Sequence, residues 1–472
     1  MKRIVIGEGS YGCVHKPSIH CKTPPKPGFN YKNYVSKIMK TKNAKKELSE
    51  FVTIGRIDPA NEYHLGQPIL CEPDLKEANI TTDISKCSHI KTEDMETNPD
   101  KYSLLLLKFG GPDLKALCNH YLITYLKKDK QQRVDKFWLE VHHLIKGLKF
   151  FKDNGIVHND IKPQNILFNS TNGKMKYIDF GLMRTKKEVI ESSKLNDNFL
   201  GIYHWSYPFD CGFMDKKQFN KYNGFNKYKR NYMKNELCEL IVTDSKVNTL
   251  DLPINNPQSF SILFTYLNPD NTIPNAVTQY GYINSFFNGF NDLIKHQSYN
   301  DFLEHTTDSI DIFGLGFTLQ FMANCFKRLN ALSLKVYTRL SSFFHKMYDF
   351  NPVTRVIDID LLLSEYENIL LETGILIRIG KSFEKNILVN KPPAPLDIIK
   401  EAKSDEQSVP EHLSNILQEY ANKDAVETLV REKSRTKTMS KTRSKSKSNS
   451  KTRSKSKTRS KSKTMSNRKG TK

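Results

Sequence analysis

Short apolar runs dominate the first part of the chain, and longer helical repeats dominate the residues that follow. Residues 3–16 contain two short apolar runs around three glycines, and residues 102–109 are another apolar run of strand length. From 132 to 152, apolar residues recur every three or four positions, and an Asn-Gly pair ends the repeat. These patterns predict strands first and amphipathic helices later, with a buried helix where residues 308–317 are apolar on every side.

Three glycines, Gly7, Gly9 and Gly12, lie between the first two predicted strands. Glycines let a backbone close over a phosphate group because no Cβ stands in the way. A dinucleotide-binding turn shares this spacing, but it requires a helix directly after the turn. Residues 13–17 have the pattern of a strand that a proline stops, so a glycine-rich hairpin between two strands is favoured.

A compact group of polar residues lies at 158–165, with the sequence HNDIKPQN. It places a carboxylate (Asp160), an ammonium group (Lys162) and an amide (Asn165) within six residues. A second carboxylate, Asp179, follows in the tripeptide DFG. Phosphoryl transfer needs an oriented nucleophile, neutralised charge on the transferred group and ligands for metal ions. These residues supply the groups for all three tasks.

The segment 158–165 resembles the catalytic loop of eukaryotic-type protein kinases, H-R-D-x-K-P-x-N, and the DFG tripeptide of that family is intact. Further motifs follow the family order over roughly residues 1–380, and the long insertions resemble, in style, kinases encoded by large DNA viruses. The resemblance implies an α+β, two-lobed fold with a small β-rich N-lobe and a larger, mainly helical C-lobe. It also implies ATP and Mg²⁺ as cofactors and Ser/Thr hydroxyls of proteins as substrates.

The resemblance assigns roles at the matching positions. Asp160 would accept the proton of the substrate hydroxyl or align that hydroxyl, and Lys162, in the form typical of Ser/Thr kinases, would steady the γ-phosphate. Asn165 and Asp179 would hold the metal ions. Lys37 would hold the α/β-phosphates and be oriented by a glutamate of the next helix. The residues expected to bind the nucleotide are Gly7, Gly9, Gly12, Val14, Val35, Lys37 and Glu50.

Two glutamates of the predicted helix could orient Lys37. Glu50 is favoured because Ile54 and Ile57 lie four and seven residues beyond it, which would place it on the inward face. Glu47, about one turn earlier, is the alternative. Either glutamate could also be an ordinary solvated residue on the helix surface.

The chain departs from the family pattern at several positions. Asn159 replaces the arginine that commonly receives a phosphate on the activation segment, which predicts a constitutively competent enzyme or one controlled by a partner. The A-P-E tripeptide is absent, so Asp210 is an open substitute for its glutamate and the partner of Arg355 is undetermined. Asp311 is expected to accept backbone N–H bonds from the catalytic loop. Residues 211–304 are an insertion, either a docking module or ordered but idle structure.

The expected domain boundaries follow from the motifs and from changes in composition. They are an N-lobe at 1–111 with an insertion at about 58–100, a C-lobe at 112–380 with the insertion at about 211–304, a linker and possible helix at 381–432, and a disordered basic tail rich in Lys, Arg, Ser and Thr at 433–472. The tail could bind nucleic acid or another polyanion, or it could solubilise the protein or target it to the nucleus.

Charge and cysteine content refine this description. Of the net charge of +22, 17 positive charges lie in residues 433–472, which contain no Asp or Glu, so the remainder is only weakly basic. Eight scattered cysteines without the spacing of a metal site predict reduced thiols and an intracellular location, cytoplasmic or nuclear, within a host cell or virion if the protein is viral. No apolar run reaches the length of a membrane-spanning helix, so no membrane contact is expected. The oligomeric state is left open.

Three alternatives to a protein kinase are consistent with parts of the sequence. A small-molecule phosphotransferase of related fold shares H-x-D-x-x-x-x-N, but it normally lacks DFG. A pseudokinase scaffold is disfavoured because competent residues occupy every phosphate-handling and metal-binding position. A protein that acts through its basic tail, by binding RNA or DNA, belongs to a different functional class.

Overall fold

The computed structural model describes residues 3–9, 12–77, 84–88, 90–197, 204–243, 257–268 and 275–381. The strands are Ile4–Gly9 (β1), Gly12–Lys16 (β2), Tyr34–Lys40 (β3), Ile69–Cys71 (β4), Tyr102–Lys108 (β5), Ile156–Val157 (β6), Ile166–Asn169 (β7), Lys174–Tyr177 (β8) and Arg184–Thr185 (β9). The helices are Thr41–Ile57 (α1), Thr92–Thr97 (α2), Leu114–Ala116 (α3), Leu122–Tyr125 (α4), Lys130–Asp153 (α5), Lys186–Lys194 (α6), Lys216–Asn223 (α7), Lys227–Thr243 (α8), Pro257–Leu267 (α9), Ala276–His296 (α10), Tyr299–Arg328 (α11), Leu334–Tyr348 (α12) and Ile359–Glu372 (α13). The possible helix and the basic tail that the sequence predicts beyond 381 lie outside the described residues.

The N-terminal part is a five-stranded antiparallel sheet in the order β1-β2-β3-β5-β4. Strand β5 lies between β3 and β4, and its leucines at 104–106 are buried, as its uninterrupted apolar run predicts. Helix α1 begins directly after β3 and packs Ala44 against Met39 and Leu105 of the sheet. The sheet and α1 therefore form one packed layer pair.

The C-terminal part is helical and is centred on the thirty-residue helix α11. Every residue of α11 from Ser309 to Phe326 is buried, which confirms the predicted buried helix. The indole of Trp138 in α5 packs against Phe326 of α11 and Phe344 of α12, with ring centroids 5.4 and 5.9 Å apart. Among the helices described, none is both long and apolar enough to cross a bilayer.

The β-rich and helical parts confirm the predicted two-lobed α+β fold, and they meet at Gly110 and Gly111. Gly111 has a φ of +97°, and a Cβ there would lie 2.1 Å from the carbonyl oxygen of Phe168. The next residue, Pro112, accepts a hydrogen bond from the backbone N–H of Phe168 at 2.9 Å. Only glycine fits this close crossing of two backbones, so the Gly-Gly pair has a structural reason.

The described part of the insertion at 211–304 packs onto the helical part through aromatic side chains. Tyr266 lies against Phe321 of α11 and Tyr282 stacks on Phe350, with ring centroids 4.8 and 4.6 Å apart. Phe219 lies against Phe302, where the insertion runs into the start of α11, at 5.0 Å. The insertion therefore shares its core with the long central helix.

The prediction of reduced thiols is wrong for six of the eight cysteines. Three disulfides join Cys13 to Cys87, Cys21 to Cys71 and Cys118 to Cys325, while the thiols of Cys211 and Cys238 are free and buried. The bonded partners are separated by 74, 50 and 207 residues, so only the tertiary fold brings them together. Two of the three disulfides attach the insertion at 58–100 to the beginning of the chain.

Candidate active site

Strands β1 and β2 form the predicted glycine-rich hairpin, with Gly7 opposite Val14 and Gly9 opposite Gly12. A Cβ on Gly12 would lie 2.2 Å from the carbonyl oxygen of Ile38, so the close approach of β3 requires this glycine. A Cβ on Gly7 would meet only atoms of Val14, at 3.9 Å. Gly12 thus has a structural role that the sequence motif did not reveal.

Val14, Val35 and Lys37 lie on one face of the sheet. Val14 pairs with Lys37 across β2 and β3, and Val35 precedes Lys37 by two residues on the same strand. Val35 is buried, and Val14 is partly exposed. This face presents two apolar side chains beside one ammonium group.

Lys37 forms an ion pair with Glu47, because its Nζ lies 2.6 Å from Glu47 Oε2. The structure therefore pairs Lys37 with Glu47, the alternative that the sequence left open, and not with Glu50, which the sequence favoured. The buried stripe of α1 consists of Ala44, Phe51 and Ile54, and Glu47 lies three residues after Ala44 and four before Phe51. A pattern search that began from Ala44 could have identified this glutamate.

Glu50 lies farther along α1 and faces the DFG tripeptide. Its Oε2 would be 3.6 Å from a Cβ on Gly181, and Asp179 Oδ1 would be 3.3 Å from the same point. Burial raises the pKa of Glu50, Lys46 lowers it, and the carboxylates of Glu47 and Asp179 raise it further. Glu50 is therefore part of the acidic surroundings of the site without pairing with the lysine.

Asp160, Lys162 and Asn165 are in direct contact. Lys162 Nζ donates to both carboxylate oxygens of Asp160 at 2.8 Å, and Asn165 Nδ2 donates to Asp160 Oδ2 at 2.7 Å and to its backbone oxygen at 2.9 Å. Burial raises the pKa of Asp160, whereas Lys162 and Asn165 lower it. The carboxylate is therefore held in one orientation by donors on two sides.

Asp311 of α11 anchors the start of the catalytic loop. Its carboxylate accepts the backbone N–H groups of His158 at 2.7 Å and Asn159 at 2.9 Å, as the sequence predicts. Burial lowers the pKa of His158 to about 4, so its imidazole is neutral near pH 7. The ring nitrogen Nε2 of His158 lies 3.2 Å from the carbonyl oxygen of Ile178, which joins the loop to the residue before DFG.

The two side chains of the DFG tripeptide differ in exposure. Asp179 is exposed and has a φ of +63°, a left-handed conformation. Phe180 is buried and packs against Phe51 of α1 and His158 of the catalytic loop, with ring centroids 6.1 and 4.9 Å apart. Phe180 therefore links the helix that carries Glu47 to the loop that carries Asp160.

Asp179 affects the pKa of carboxyl groups in both lobes. Burial raises the pKa of Glu47, Lys37 lowers it, and Asp179 raises it by a smaller amount. The same carboxylate raises the pKa of Asp160, again as a smaller effect than burial. Since Glu47 contacts Lys37 and Asp160 contacts Lys162, Asp179 lies near charged residues from two other predicted motifs.

The residues present fit a divalent cation at this position. Within the part of the chain described, no side chain donates a hydrogen bond to the exposed carboxylate of Asp179. Asn165 uses its Nδ2 to hold Asp160, which leaves its Oδ1 as an acceptor. Carboxylate and amide oxygens are the ligands that Mg²⁺ and Ca²⁺ prefer.

Asn159 contacts the start of the segment that follows DFG. Its Nδ2 donates to the carbonyl oxygens of Leu182 at 3.1 Å and Val157 at 3.2 Å. Asn159 has a φ of +63° and is fully buried. Where the family arginine would meet a phosphate, this chain has an uncharged amide that holds the backbone directly.

Asp210 is the partner of Arg355. The guanidinium donates to both carboxylate oxygens, at 3.0 and 3.1 Å, and neither side chain is exposed. Thr306 and Ser309 of α11 complete the group, since Thr306 donates to Asp210 and Arg355 donates to Ser309 Oγ. Asp210 therefore takes the place of the missing A-P-E glutamate as the partner of Arg355.

Comparison with known families agrees with this geometry. Residues 2–208 match the family model of the protein kinase domain. That stretch contains the hairpin, the Lys37–Glu47 pair, the catalytic loop and DFG, while α7 to α13 lie beyond it. The match confirms the family resemblance and the two-lobed fold that the sequence motifs predict.

Several curated proteins are similar to parts of this chain. A protein of Acanthamoeba polyphaga mimivirus, named as a serine/threonine-protein kinase/receptor, is 43% identical over 63 residues, which are 13% of this chain and 4% of that protein. Human mitogen-activated protein kinase kinase kinase 5 is 27% identical over 209 residues, 44% of this chain and 12% of that protein. Serine/threonine-protein kinase SSK22 of Saccharomyces cerevisiae is 34% identical over 93 residues, 19% of this chain and 6% of that protein. The chain thus spans about one eighth or less of the length of these relatives.

Proposed function

Because residues 2–208 match the family model of the protein kinase domain, we propose that this chain transfers the γ-phosphate of ATP to serine and threonine hydroxyls of protein substrates. The observations that carry the proposal are the Lys37–Glu47 ion pair and the cluster of Asp160, Lys162 and Asn165, with Asp179 close enough to affect the pKa of both Glu47 and Asp160. Each charged group has a partner that fixes its orientation, and such sites work mainly by positioning and by charge neutralisation.

Each side chain has a distinct task in this proposal. Lys37, held by Glu47, neutralises charge on the α/β-phosphates, and the apolar face of Val14 and Val35 covers the adenine side of the nucleotide. Asp160 aligns the substrate hydroxyl and accepts its proton. Lys162 is already 2.8 Å from that carboxylate, so it can neutralise charge on the transferred phosphoryl group at the same place.

Asn165 and Asp179 would hold the metal ion, which we propose to be Mg²⁺. When bound, such an ion neutralises charge on the phosphate oxygens and orients them. Glu50 and Glu47 add negative charge near Asp179, which favours a cation in this part of the cleft. The glycines Gly7 and Gly9 are proposed to close over the phosphates from the sheet side.

A phosphotransfer assay with Asp160→Asn tests the proposal. We expect full-length protein to transfer labelled γ-phosphate to a basic protein or a Ser/Thr peptide library, and Asp160→Asn to be slower by about 100- to 10,000-fold, the usual contribution of a general base. Asp153→Asn on the exposed end of α5 is a matched control and should leave the rate unchanged, since Lys149 is the only ion-pair partner of Asp153 among the described residues.

Each failure of this experiment has a defined meaning. An Asp160→Asn variant that keeps the wild-type rate refutes the assigned role of Asp160. A wild-type protein that binds ATP without any transfer to protein would instead support the pseudokinase alternative. Transfer to small alcohols but not to peptides would support a small-molecule phosphotransferase.

Activity is proposed to be independent of phosphorylation on the activation segment. Asn159 Nδ2 already holds the carbonyl of Leu182, and Lys186 of α6 forms ion pairs with Glu304 and Asp308 of α11. These contacts order the described start of the segment without a phosphate. Phosphatase treatment that abolished the activity of purified protein would contradict this part of the proposal.

A second function, binding of polyanions such as RNA, is proposed for residues 433–472 because they contain 17 Lys or Arg and no acidic residue. If ten of these cations engage single-stranded RNA, the slope of log affinity against log salt should be about −7. Deletion of 433–472 should remove this dependence. A slope that is unchanged after the deletion would discard this function.

We propose that the chain divides into an N-lobe at 1–111, a C-lobe at 112–380, a linker region at 381–432 and a basic tail at 433–472. The two lobes together would act on protein substrates. A viral origin is also proposed, on the basis of the mimivirus relative. An intracellular or virion location is part of the same proposal, with the disulfides formed in whichever compartment is oxidising.

A further inference from the structure

Tyr266, at the C-terminal end of α9 in the insertion, contacts the catalytic loop. Its hydroxyl accepts a hydrogen bond from Gln164 Nε2 at 3.2 Å. Its ring lies 5.1 Å from that of Trp205, in the segment that closes the activation region. Tyr266 is buried, and Lys115 Nζ lies 5.5 Å above its ring. The insertion therefore touches both chain segments that flank the reacting groups.

The two segments that Tyr266 joins lie beside Asp160. Gln164 directly precedes Asn165 in the catalytic loop. Burial raises the pKa of Tyr207, and the nearby carboxylate of Asp160 raises it further. Burial also lowers the pKa of His204, and the positive charge of Lys162 lowers it further. Residues 204–207 are therefore within electrostatic reach of the catalytic groups. A peptide that delivers its hydroxyl to Asp160 must pass close to this junction.

A buried polar network anchors the end of α9. Asn324 of α11 donates its Nδ2 to the carbonyl oxygens of Tyr266 at 3.2 Å and Leu267 at 3.1 Å, which would otherwise lack helical partners. Asn324 is fully buried, and its Oδ1 accepts from Gln320 Nε2 and the hydroxyl of Tyr337. A buried amide network of this kind fixes one position of the helix, because a displaced α9 would leave these groups unpaired.

The Tyr266 hydroxyl determines how the side chain of Gln164 is held. The amide oxygen of Gln164 is buried and has no hydrogen-bond partner among the described residues. The hydrogen bond from Gln164 Nε2 to Tyr266 is therefore the polar contact that sets the orientation of this amide. Aromatic packing alone, as seen elsewhere in the insertion, would not require it.

We propose that helix α9 forms one wall of the protein-substrate site and that Tyr266 is a positioning residue for it. Tyr266 holds Gln164 and Trp205 in place for the incoming peptide, while ATP binds at the opposite side of Asp160. The insertion is then neither idle nor a remote docking module. This inference rests on the proposed kinase function.

The test compares steady-state kinetics of the full-length protein and Tyr266→Phe. This variant keeps the ring against Trp205 and removes only the hydroxyl. Loss of one neutral hydrogen bond corresponds to about a two- to tenfold change in affinity, so KM for a peptide substrate should rise by that factor. KM for ATP should stay unchanged, because the described contacts of α9 are with the catalytic loop and the other helices, and Lys37 is held by Glu47 of α1.

Tyr222→Phe is a matched control in the same insertion. Tyr222 is equally buried, and its hydroxyl donates to Asn291 at 3.0 Å, within the insertion and away from the catalytic loop. Its loss should lower thermal stability to a similar extent without changing either KM. In a double-mutant cycle, Gln164→Ala should remove most of the effect of Tyr266→Phe on the peptide KM.

The outcomes separate this inference from the proposed function. If Tyr266→Phe and Tyr222→Phe have the same kinetic constants, or if KM for ATP rises as much as KM for peptide, the positioning role is refuted. If the two changes at Tyr266 and Gln164 are additive, their assigned contact does not act in substrate binding. If the wild-type protein transfers no phosphate to any peptide, the kinase proposal itself fails first.

Discussion

Replacing Glu47 by glutamine is the most direct test of how the site holds its nucleotide lysine. The substitution keeps the size of the side chain and removes its charge, so Lys37 loses its ionic partner. Glu50→Gln is a matched control three residues away on the same helix. Both glutamates are partly buried, but only Glu47 contacts the lysine.

The structure sets the size of the expected effect. Lys37 Nζ and Glu47 Oε2 are 2.6 Å apart, and their side chains are 17% and 18% exposed. A hydrogen bond to a charged group contributes about 1.5–3 kcal/mol. The larger cost of breaking a fully buried pair, about 3–5 kcal/mol, is an upper limit here because the pair keeps some contact with water. At about 1.36 kcal/mol per tenfold change, kcat/KM for ATP should fall by about 10- to 150-fold.

The assay is ATP-dependent phosphorylation of one peptide at several ATP concentrations, with thermal denaturation of each variant as the folding control. Glu50→Gln should lose far less activity, because the structure gives it no bond to the lysine. If Glu50→Gln lost more activity than Glu47→Gln, the ion pair seen here would not be the one that operates during catalysis. Equal losses would mean that only the total negative charge of α1 matters.

Three further predictions concern side chains that hold separate segments of the chain together. Asp210→Ala should lower the free energy of unfolding by about 3–5 kcal/mol in urea titration, because it leaves the guanidinium of Arg355 buried without its partner. Cys13→Ser, which breaks the disulfide to Cys87 beside the glycine hairpin, should lower the free energy of unfolding by about 2–5 kcal/mol and raise KM for ATP. Asn159→Ala removes the amide that holds the activation segment. The loss of its two hydrogen bonds should lower the free energy of unfolding by about 1–3 kcal/mol, and the unfolding temperature and kcat should fall together.

Each of these predictions has its own control. The double variant Asp210→Leu with Arg355→Met should be more stable than Asp210→Ala, since no charge remains buried; equal stability would contradict the ion-pair explanation. Cys118→Ser breaks a disulfide in the helical part and should leave KM for ATP unchanged. If dithiothreitol had no effect on wild-type KM for ATP, the covalent link at Cys13 would not hold the hairpin.

The local motifs predicted the cluster of Asp160, Lys162 and Asn165 because these residues are close together in the chain. Asp160, Lys162 and Asn165 lie within six residues, so their contact depends on the shape of one loop. The apolar run of β5 and the buried helix near Asp311 were likewise predictable, because each pattern reports the surroundings of a single element.

Pairing between distant residues was decided by the tertiary structure. Whether Glu47 or Glu50 faces Lys37 depends on the rotation of α1 about its axis relative to the sheet. The sequence pattern favoured Glu50 because it counted both Ile54 and Ile57 as inward residues, but Ile57 is only partly buried. The partner of Arg355 lies 145 residues earlier in the chain, and packing around α11 brings the two side chains together. Neither pairing leaves a periodic signal.

By itself the sequence determined the kinase-like chemistry, the order of the elements and the basic character of the last forty residues. The structure alone decided that six cysteines are bonded, that Asp210 replaces the missing glutamate and that α9 reaches the catalytic loop through Tyr266. The physical reason is the range of the interactions. Helical and strand periodicity constrains neighbours in the chain, whereas disulfides, buried ion pairs and contacts of an insertion depend on which surfaces pack together.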